Sequence, residues 1–390
     1  MPARQNKHIL LFSSEFPPGP GGIGTHAYQI ASHLEKFGWK LRVVTSQDYT
    51  TKMEVTSFNS RQEFAIYSLP RTGLMYKDIF VRIGILCNHI KEWKPSLLIV
   101  TGDRLVWLVA LIQVWANFFS SDLVLPWWAV WYGVISPKYF VRQITNWAFG
   151  HADLIITISQ YSLKKMLEMG VRPRCSKVIT LGADENSYFP DLESGLSLRK
   201  SLGLVDAQIL LTVGHVSERK GHDIVIRALP TLLQGKTNLH YLIVGIPTIR
   251  PSLEKLAEEL GVSKHVHFLG CVPKKQLNSL YNACDVFVLT SRHSSNGEFE
   301  GFGIVVVEAA LCAKPAVVAN NSGLAEVVVH ERTGFIVMEN DSQETGQVIK
   351  KLLANPVLLH QMGQAARQHA LAEQTWQFCI EQYHNLLVDI

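Results

Sequence analysis

The stretch "EFEGFGIVVVEAALCAKPAVVANNSGLAEVVVHERTGFIV", residues 298 to 337, alternates helical and strand patterns. The apolar run after "GFG" predicts the start of a helix, while "KPAVVAN" and "TGFIVM" are short apolar runs that are typical of strands buried on both faces. Such strands, when helices separate them, indicate a parallel sheet. This stretch therefore predicts an α/β domain.

The same alternation runs through the rest of the chain, and two complete series of strands and helices predict two doubly wound domains. A length of 390 residues is enough for two cores of ordinary size. The polar, turn-rich segment from about Asp184 to Asp206 lacks a strand pattern and is expected to join the domains. Ligands of such sheets bind outside the carboxyl ends of the strands, which predicts a site in a cleft between the domains. The other predicted strands are "HILLFS", "WKLRVVTS", "SLLIVTG", "PWWAVWYG", "ADLIITIS", "SKVITLG", "AQILLTVG", "LHYLIVG", "KHVHFLG" and "CDVFVLTS".

Composition excludes several classes of protein. A net charge of +4 with 18% charged residues lacks the clustered basic excess of a nucleic-acid binder. The six cysteines are scattered without a C-x-x-C pair, which excludes zinc-site spacing and favours a reduced, cytoplasmic setting. From Leu105 to Ser121 no residue carries a formal charge, but a membrane span needs about 20 apolar residues. We expect a core helix there, with a face that leans on a membrane as the alternative.

Three glycines near the N-terminus, Gly19, Gly21 and Gly24, have the G-x-G-x-x-G spacing of a dinucleotide-binding turn. In such a turn the first glycine directly closes the strand, whereas five residues separate "HILLFS" from Gly19 here. Pro20 also removes a backbone N–H that a pyrophosphate site would use. An NAD-dependent dehydrogenase is therefore the least favoured hypothesis.

Two carboxylates in the opening stretch suit a polyhydroxylated ligand. Glu300 and Glu308 stand eight residues apart, one in a loop and one two turns into the following helix. Carboxylates accept hydrogen bonds from hydroxyls, and Gly301 and Gly303 let backbone N–H groups approach electron-rich atoms at the helix N-terminus. The alternative is a loop-to-helix turn with solvated glutamates.

Several ordered motifs resemble glycosyltransferase family 4. "EGFGIVVVEA", "KPAVV" and "SGLAEVV" match the family's E-G-F-G-x-x-x-x-E-A pattern and the turns that follow it. "LTVGHVSERKGHDIVIRALP" is similar to its donor-phosphate loop, and "HVHFLGCVPKKQLNSLYNACDVFVLTS" to its base-binding region. "ITLGADENSYFP" and "FPPGPGGIGTHAYQIASHL" resemble the segment before the second domain and the first glycine-rich turn. The resemblance covers most of the chain.

The resemblance implies a GT-B fold, in which two Rossmann-like domains face each other across a cleft. It implies an acceptor-side domain at residues 1–190, a nucleotide-sugar-binding domain at 205–372, and a C-terminal helix at 373–390 that packs back on the first domain. The implied activity is retaining transfer of a hexose from a GDP- or UDP-sugar to a glycan or lipid-linked acceptor. Mannosyl transfer and the synthesis of envelope polysaccharide, lipopolysaccharide or glycolipid are the implied context.

The resemblance also assigns roles to residues. Glu300 would hold the hydroxyls of the transferred sugar, Glu308 the ribose hydroxyls, and Lys220 would neutralise the leaving diphosphate. A cation beside a helix N-terminus suits that task, because negative charge develops there. No D-x-D occurs in the sequence, so no metal and no cofactor are expected. The implied donor-binding set is Gly21, Gly22, His215, Lys220, Gly270, Val272, Glu300, Gly301, Phe302, Gly303, Ile304 and Glu308, with Lys220, Glu300 and Arg219 catalytic.

Three positions depart from the family pattern. His215 replaces the usual Arg of the donor loop, Tyr132 on the acceptor side replaces the His of a His-Gly pair, and "GIP" at 245–247 replaces a G-x-G. Arg219 is a candidate to supply the charge that His215 lacks. The departures keep two alternatives open: a non-catalytic nucleotide-sugar-binding protein, and a GT-B epimerase or phosphorylase.

The acceptor region is predicted in "LPWWAVWYGVISPKYFVRQ", residues 125 to 143. Its aromatic side chains can stack on sugar rings, and Lys138 and Arg142 beside them also suit an anionic lipid headgroup. The alternative is a buried strand followed by an ordinary helix start. Peripheral contact with the cytoplasmic face of a membrane is a further expectation.

Overall fold

Thirteen strands and fourteen helices alternate in the part of the chain that the computed structural model describes, residues 7–19, 21–70, 75–119, 122–133, 139–234, 238–294 and 297–388. The chain divides into two compact units. The first unit consists of Met1–Thr180 and Ile380–Ile390, and the second of Leu181–Cys379. Each unit contains one parallel sheet.

The sheet of the first unit has the strand order β3-β2-β1-β4-β5-β6-β7, with every neighbouring pair parallel. Six of these strands match the predicted ones. The exception is the edge strand β3, which the sequence analysis missed because its residues are mostly exposed and give no buried apolar run. The strands are β1 (His8–Ser13), β2 (Lys40–Thr45), β3 (Ala65–Ser68), β4 (Leu97–Thr101), β5 (Trp127–Trp131), β6 (Leu154–Thr157) and β7 (Ser176–Val178), and the helices are α1 (Gly22–Lys36), α2 (Lys52–Asn59), α3 (Met75–Trp93), α4 (Asp103–Phe118), α5 (Tyr139–Gly150) and α6 (Gln160–Glu168).

The sheet of the second unit has the order β10-β9-β8-β11-β12-β13 and is also parallel throughout. All six of its strands match predicted ones. The elements are α7 (Leu192–Ser201), β8 (Gln208–Val213), α8 (His222–Leu232), β9 (Leu239–Val244), α9 (Arg250–Glu259), β10 (Val266–Gly270), α10 (Lys274–Ala283), β11 (Val286–Leu289), α11 (Ile304–Leu311), β12 (Ala316–Ala319), β13 (Gly334–Val337), α12 (Ser342–Leu353) and α13 (Pro356–Glu373).

The last helix, α14 (Trp376–Val388), begins in the second unit and ends in the first. Its His384 accepts a hydrogen bond from the indole of Trp39 at 3.2 Å and stacks on Phe37 with ring centroids 4.4 Å apart. The end of the chain therefore packs on the α1–β2 corner of the first unit.

Strand β8 marks the point where the strand order of the second sheet reverses, because it pairs with β9 on one side and β11 on the other. A buried hydrogen-bond network fixes this centre: the Tyr241 hydroxyl lies 2.8 Å from Thr212 Oγ1 and 3.1 Å from His222 Nδ1. Ligands of such sheets bind at this reversal, outside the carboxyl ends of the strands. The loops that follow β8 and β11 therefore define the candidate site.

Helix α4 contains most of the uncharged stretch that was predicted as a core helix. One side of it is buried and includes Val106 and Val109, whereas Leu111, Trp115 and Phe118 are 55%, 57% and 81% exposed. The prediction is therefore right for one face and wrong for the other, since a helix that is apolar all round shows no periodicity to separate them. No helix within the described residues is both long and apolar enough to cross a membrane.

Candidate active site

The loops after β8 and β11 lie in direct contact because one residue lacks a side chain. Gly221, the residue before α8, has a φ of 68°, and a Cβ on it would overlap the carbonyl oxygen of Thr290. The Thr290 hydroxyl donates to the Gly221 carbonyl at 2.8 Å. Only glycine adopts this conformation at such close approach without strain. The two loops are thus held together beside the N-terminus of α8.

A second contact between the same loops involves Arg292. Its backbone N–H donates to the Arg219 carbonyl at 2.8 Å, and its guanidinium pairs with Asp223 at 3.0 Å. Both side chains of this pair are 18% exposed. Arg292 therefore neutralises the carboxylate in the first turn of α8, so that Asp223 does not draw on the neighbouring cations.

The centre of the site is a cluster of three charges. Arg219 Nη1 and Lys220 Nζ lie 2.6 and 2.5 Å from the same oxygen, Oε2 of Glu300. The side chains of Arg219, Lys220 and Glu300 are 23%, 9% and 13% exposed. Burial alone would raise the pKa of Glu300, but the two cations override it and lower the pKa to about 2. The cluster thus carries two positive charges and one negative charge.

The backbone around Glu300 is fixed by further glycine contacts. Gly323 donates its N–H to the Glu300 carbonyl at 2.9 Å, and a Cβ on Gly323 would overlap the Gly301 carbonyl. Phe302 is buried, and Gly303, with a φ of 93°, precedes α11. The predicted residues from Glu300 to Ile304 therefore form one rigid turn that ends in a helix N-terminus, where backbone N–H groups favour electron-rich atoms.

Glu308 lies in the second turn of α11 in a different environment. The Tyr281 hydroxyl donates to Glu308 Oε2 at 2.5 Å, and the ring of Tyr188 packs edge-on against Tyr281 with centroids 5.6 Å apart. Burial raises the pKa of Glu308, even though the hydrogen bond from Tyr281 lowers it in part. Residue spacing in the sequence gave no prediction for Tyr281 or Tyr188. The only signal was that both lie in stretches similar to family motifs.

The other predicted donor residues of the second unit lie at the same edge of its sheet. His215 follows β8, and its Nε2 lies 2.5 Å from Thr248 Oγ1 in the loop after β9. Gly270 ends β10 with a φ of 67° and accepts the N–H of Gly245 at 2.9 Å, and Val272 follows two residues later. Within the described residues, His215 makes no hydrogen bond to the Glu300 cluster. The charge beside Glu300 comes from Arg219 instead.

The first unit places Tyr132 next to a buried histidine. Tyr132 directly follows β5, and its hydroxyl lies 2.9 Å from Nδ1 of His26 on α1. Burial lowers the pKa of His26 to about 3, so this imidazole is neutral at physiological pH. The sequence analysis missed His26, since a lone histidine on an apolar helix face gives no signal.

Gly21 and Gly22 stand at the start of α1, eight residues after the end of β1 at Ser13. As predicted, these glycines do not directly close the strand, so they do not form a dinucleotide-binding turn. Pro20 and Lys138, which entered the sequence analysis, lie outside the described residues.

Comparisons with known proteins identify the family. Residues 20–187 match the model described as Glycosyltransferase Family 4, and residues 197–369 match Glycosyl transferases group 1. An uncharacterized glycosyltransferase of Methanocaldococcus jannaschii is 31% identical over 363 residues, which cover 89% of each chain. The chain belongs to the family 4 glycosyltransferases.

Two further matches relate this glycosyltransferase to proteins with named ligands. A GDP-mannose-dependent alpha-(1-6)-phosphatidylinositol monomannoside mannosyltransferase of Mycolicibacterium smegmatis is 30% identical over 237 residues, and the chain spans 61% of its length and aligns over 60% of its own. The crystal structure of Anabaena Alr3699/HepE in complex with UDP and glucose has a TM-score of 0.80 at 22% identity, covering 98% of this chain and 100% of that one. This structural likeness, with the two parallel sheets, confirms the predicted GT-B fold of two Rossmann-like domains.

No group of three His, Cys, Asp or Glu side chains in the described part of this glycosyltransferase is arranged to hold a metal ion. That the reaction needs no metal stays a prediction.

We expect Glu300→Gln to lower the free energy of unfolding in a pH-dependent way. Because the folded state depresses the pKa of Glu300 from 4.5 to about 2, its ionised form stabilises the fold above pH 4.5. This contribution of about 3 kcal/mol is lost as the pH falls from 4.5 toward 2. Urea titrations of both proteins between pH 7 and pH 3 should show the largest difference above pH 5 and a shrinking difference below it.

The matched control is Glu298→Gln, which neutralises an exposed carboxylate in the same loop and should leave the unfolding free energy within about 0.5 kcal/mol of wild type. A Glu300→Gln difference that is constant with pH would show that the cations do not control this carboxylate.

Proposed function

We propose that this family 4 glycosyltransferase moves a hexose from a nucleotide-sugar donor to a glycan or lipid-linked acceptor, with retention of the anomeric configuration. The observation that carries the proposal is the cluster of Arg219, Lys220 and Glu300. Two cations suit a leaving diphosphate, and one carboxylate suits the hydroxyls of a sugar. Few other ligands combine these two chemistries at such short range.

Lys220 and Arg219 are proposed to stabilise the nucleoside diphosphate as the glycosidic bond to it breaks. Negative charge grows on the leaving oxygens in that step, and cations in a poorly hydrated site act strongly on it. The N-terminus of α11 after Gly303 adds backbone N–H groups for the sugar or the phosphates. Protein cations therefore supply the charge that a metal ion supplies in other sites, and no cofactor is required.

Glu308 is proposed to hold the ribose hydroxyls of the nucleotide. Tyr281 already donates to Oε2, which orients the carboxylate and leaves Oε1 to accept from a ligand. Burial raises the pKa of Glu308, so a pair of hydroxyl donors stabilises its charged form in place of water. Tyr281 is thus a positioning residue for Glu308.

We favour GDP-mannose as the donor, because the 30% identical relative from Mycolicibacterium smegmatis is named as GDP-mannose-dependent. A UDP-hexose is the alternative, since a structural neighbour of the same fold was crystallised with UDP and glucose. A phosphatidylinositol mannoside in the name of the former relative also supports a lipid-linked acceptor.

A panel of GDP-mannose, UDP-glucose and ADP-glucose in thermal unfolding tests the donor. A donor at 100 times its Kd should stabilise the protein by about 2.7 kcal/mol, because it binds only the folded state. We expect GDP-mannose to raise the unfolding temperature most, with mannose 1-phosphate as the control without a nucleotide. Stabilisation by none of the three sugar nucleotides would overturn the proposed function.

A non-catalytic binding protein is the second candidate, favoured by Tyr132 and by His215, whose imidazole is engaged with Thr248. It would bind the donor without hydrolysing it or transferring the sugar. The position of Arg219 favours the enzyme, because this side chain supplies the second cation that His215 does not.

We expect Lys220→Ala to lower kcat for sugar transfer by about 100- to 1,000-fold, since removal of a charge contact to the developing anion costs about 2.7–4 kcal/mol. Arg219→Ala should have a smaller effect because this side chain is more exposed. Steady-state transfer assays of each variant measure this, with and without EDTA, which should not change the wild-type rate.

The control is Lys255→Ala, which removes a lysine that is 77% exposed on α9 and should leave transfer unchanged. Turnover by Lys220→Ala at the wild-type rate would show that Lys220 does not face the leaving group.

Peripheral membrane contact is proposed through the first unit. Four apolar side chains are 55–81% exposed along the second half of α4 and at the residue after it, and they are here called the aromatic face: Leu111, Trp115, Phe118 and Phe119. The first unit contains 20 Lys and Arg against 13 Asp and Glu, a formal charge of +7, whereas the second unit has 17 against 20, a charge of −3. An exposed aromatic surface on a basic unit suits an anionic lipid surface.

Replacement of Trp115 and Phe118 by Ser is expected to weaken binding to vesicles of phosphatidylglycerol and phosphatidylcholine at least tenfold, because two large apolar side chains no longer enter the interface. Vesicle co-sedimentation measures the partition. Met53→Ser, at a methionine that is 80% exposed on α2, is the control and should bind as wild type does. Wild-type protein that does not sediment with anionic vesicles would refute membrane contact.

A further inference from the structure

In the cluster of Arg219, Lys220 and Glu300, two cations share a single carboxylate partner. Arg219 and Lys220 both direct their donors to a single oxygen, Oε2 of Glu300, at 2.6 and 2.5 Å. No other carboxylate in the described part of the chain forms an ion pair with either cation. Lys220 is nearly buried, with a side chain that is 9% exposed, so water replaces a lost partner poorly. Glu300 therefore occupies the position of an anion that both cations require.

A diphosphate would compete for the same donors. Phosphate oxygens and carboxylate oxygens accept the same charge-assisted hydrogen bonds from Lys and Arg, and two anions at one pair of cations repel each other. A diphosphate that takes the donors now directed at Glu300 therefore displaces the carboxylate from them. Its affinity is lowered by the free energy of the contacts that Glu300 gives up.

Only the side chain of Glu300 is free to make this exchange. Its carbonyl is held by Gly323, the neighbouring Gly301 carbonyl is in contact with Gly323, and Phe302 is buried. The exchange is thus a change of side-chain rotamer on a fixed backbone, with no movement of the loop.

We propose that Glu300 is a placeholder for the diphosphate, which disfavours the nucleotide product relative to the intact donor. The proposal rests on the proposed function. The intact donor brings sugar hydroxyls that bind the displaced carboxylate, so Glu300 exchanges one set of partners for another. The nucleoside diphosphate left after transfer brings no hydroxyls for Glu300, which then reclaims Arg219 and Lys220. One residue would thereby hold the sugar during transfer and promote release of the nucleotide afterwards.

Isothermal titration with GDP and UDP tests the proposal. Glu300→Gln keeps the size of the side chain but removes the charge that competes for the cations. We expect this variant to bind the nucleotide that wild type prefers about tenfold more tightly, which is about 1.4 kcal/mol. In a protein that carries Arg219→Ala and Lys220→Ala, Glu300→Gln should change the nucleotide Kd less than twofold. The reason is that the cations for which Glu300 and the nucleotide compete are absent. Glu298→Gln is the matched control and should bind as wild type does.

A second measurement uses the wild-type protein, in case Glu300→Gln does not fold. Free mannose or glucose offers hydroxyls to Glu300 and so releases the cations. Titration of GDP or UDP at saturating hexose should then give a lower Kd than titration without it, and the nucleotide should lower the hexose Kd by the same factor. Galactitol, an open-chain polyol, serves as the control for general solvent effects.

The outcomes separate the two proposals. Binding of neither GDP nor UDP by wild type would overturn the proposed function itself. Binding by wild type with an equal or weaker affinity in a folded Glu300→Gln would overturn the placeholder role alone, as would a nucleotide Kd that hexose leaves unchanged. Tighter binding by Glu300→Gln that persists without Arg219 and Lys220 would also overturn it.

Discussion

The structure of the candidate site depends on two cations that share one carboxylate oxygen, with all three side chains largely buried. Arg219 and Lys220 carry two positive charges toward Glu300, which supplies one negative charge. Among the described residues, Asp223 in the first turn of α8 pairs with Arg292 and with neither of these two cations. The cluster therefore keeps an excess of one positive charge, which favours a further anion.

Close approach of backbones makes this arrangement possible. The loop after β8 touches the loop after β11 at Gly221, and the turn after β11 touches the segment after β12 at Gly323. At each contact a Cβ would overlap a carbonyl oxygen, so any other residue would separate the loops. Gly221 and Gly323 thus fix the backbone segments from which the Lys220 and Glu300 side chains project.

The fold was predictable because the same signal is repeated in all but one of the strands that the structure describes. Strands buried on both faces read as continuous apolar runs, and twelve of the thirteen were visible in the sequence. The exception, β3, lies at an exposed edge, where a strand needs no apolar run to pair with one neighbour. The exposed face of α4 was not predictable for the opposite reason, since its exposed and buried faces are equally apolar. The sequence of an element reveals which of its residues are buried only where the buried and exposed positions differ in polarity.

The residues of the candidate site could be chosen from the sequence, whereas the contacts between them could not. Lys220, Glu300 and Glu308 could be chosen from motifs, but the direction of the Arg219 side chain depends on the loop contacts made by Gly221 and Arg292. Tyr281 reaches Glu308 from α10, and His26 reaches Tyr132 from α1, across 27 and 106 residues of chain. Contacts of this kind follow from the packing of helices on the sheet, and no local spacing encodes them.

The two carboxylates of the site are suited to different partners by opposite electrostatic environments. The two cations lower the pKa of Glu300, so this carboxylate is ionised at neutral pH. Any new partner of Glu300 must compete with these ion pairs. Burial raises the pKa of Glu308, which has a hydroxyl from Tyr281 but no cation in an ion pair within the described residues. A ligand hydroxyl that donates to Glu308 therefore stabilises its charged form directly. At Glu300 a hydroxyl stabilises the carboxylate only if another anion pairs with Arg219 and Lys220. Simultaneous arrival of hydroxyls and a diphosphate satisfies all four groups, Arg219, Lys220, Glu300 and Glu308. A ligand that carries both chemistries in one molecule meets this condition, and one that carries either alone leaves a charge without its best partner.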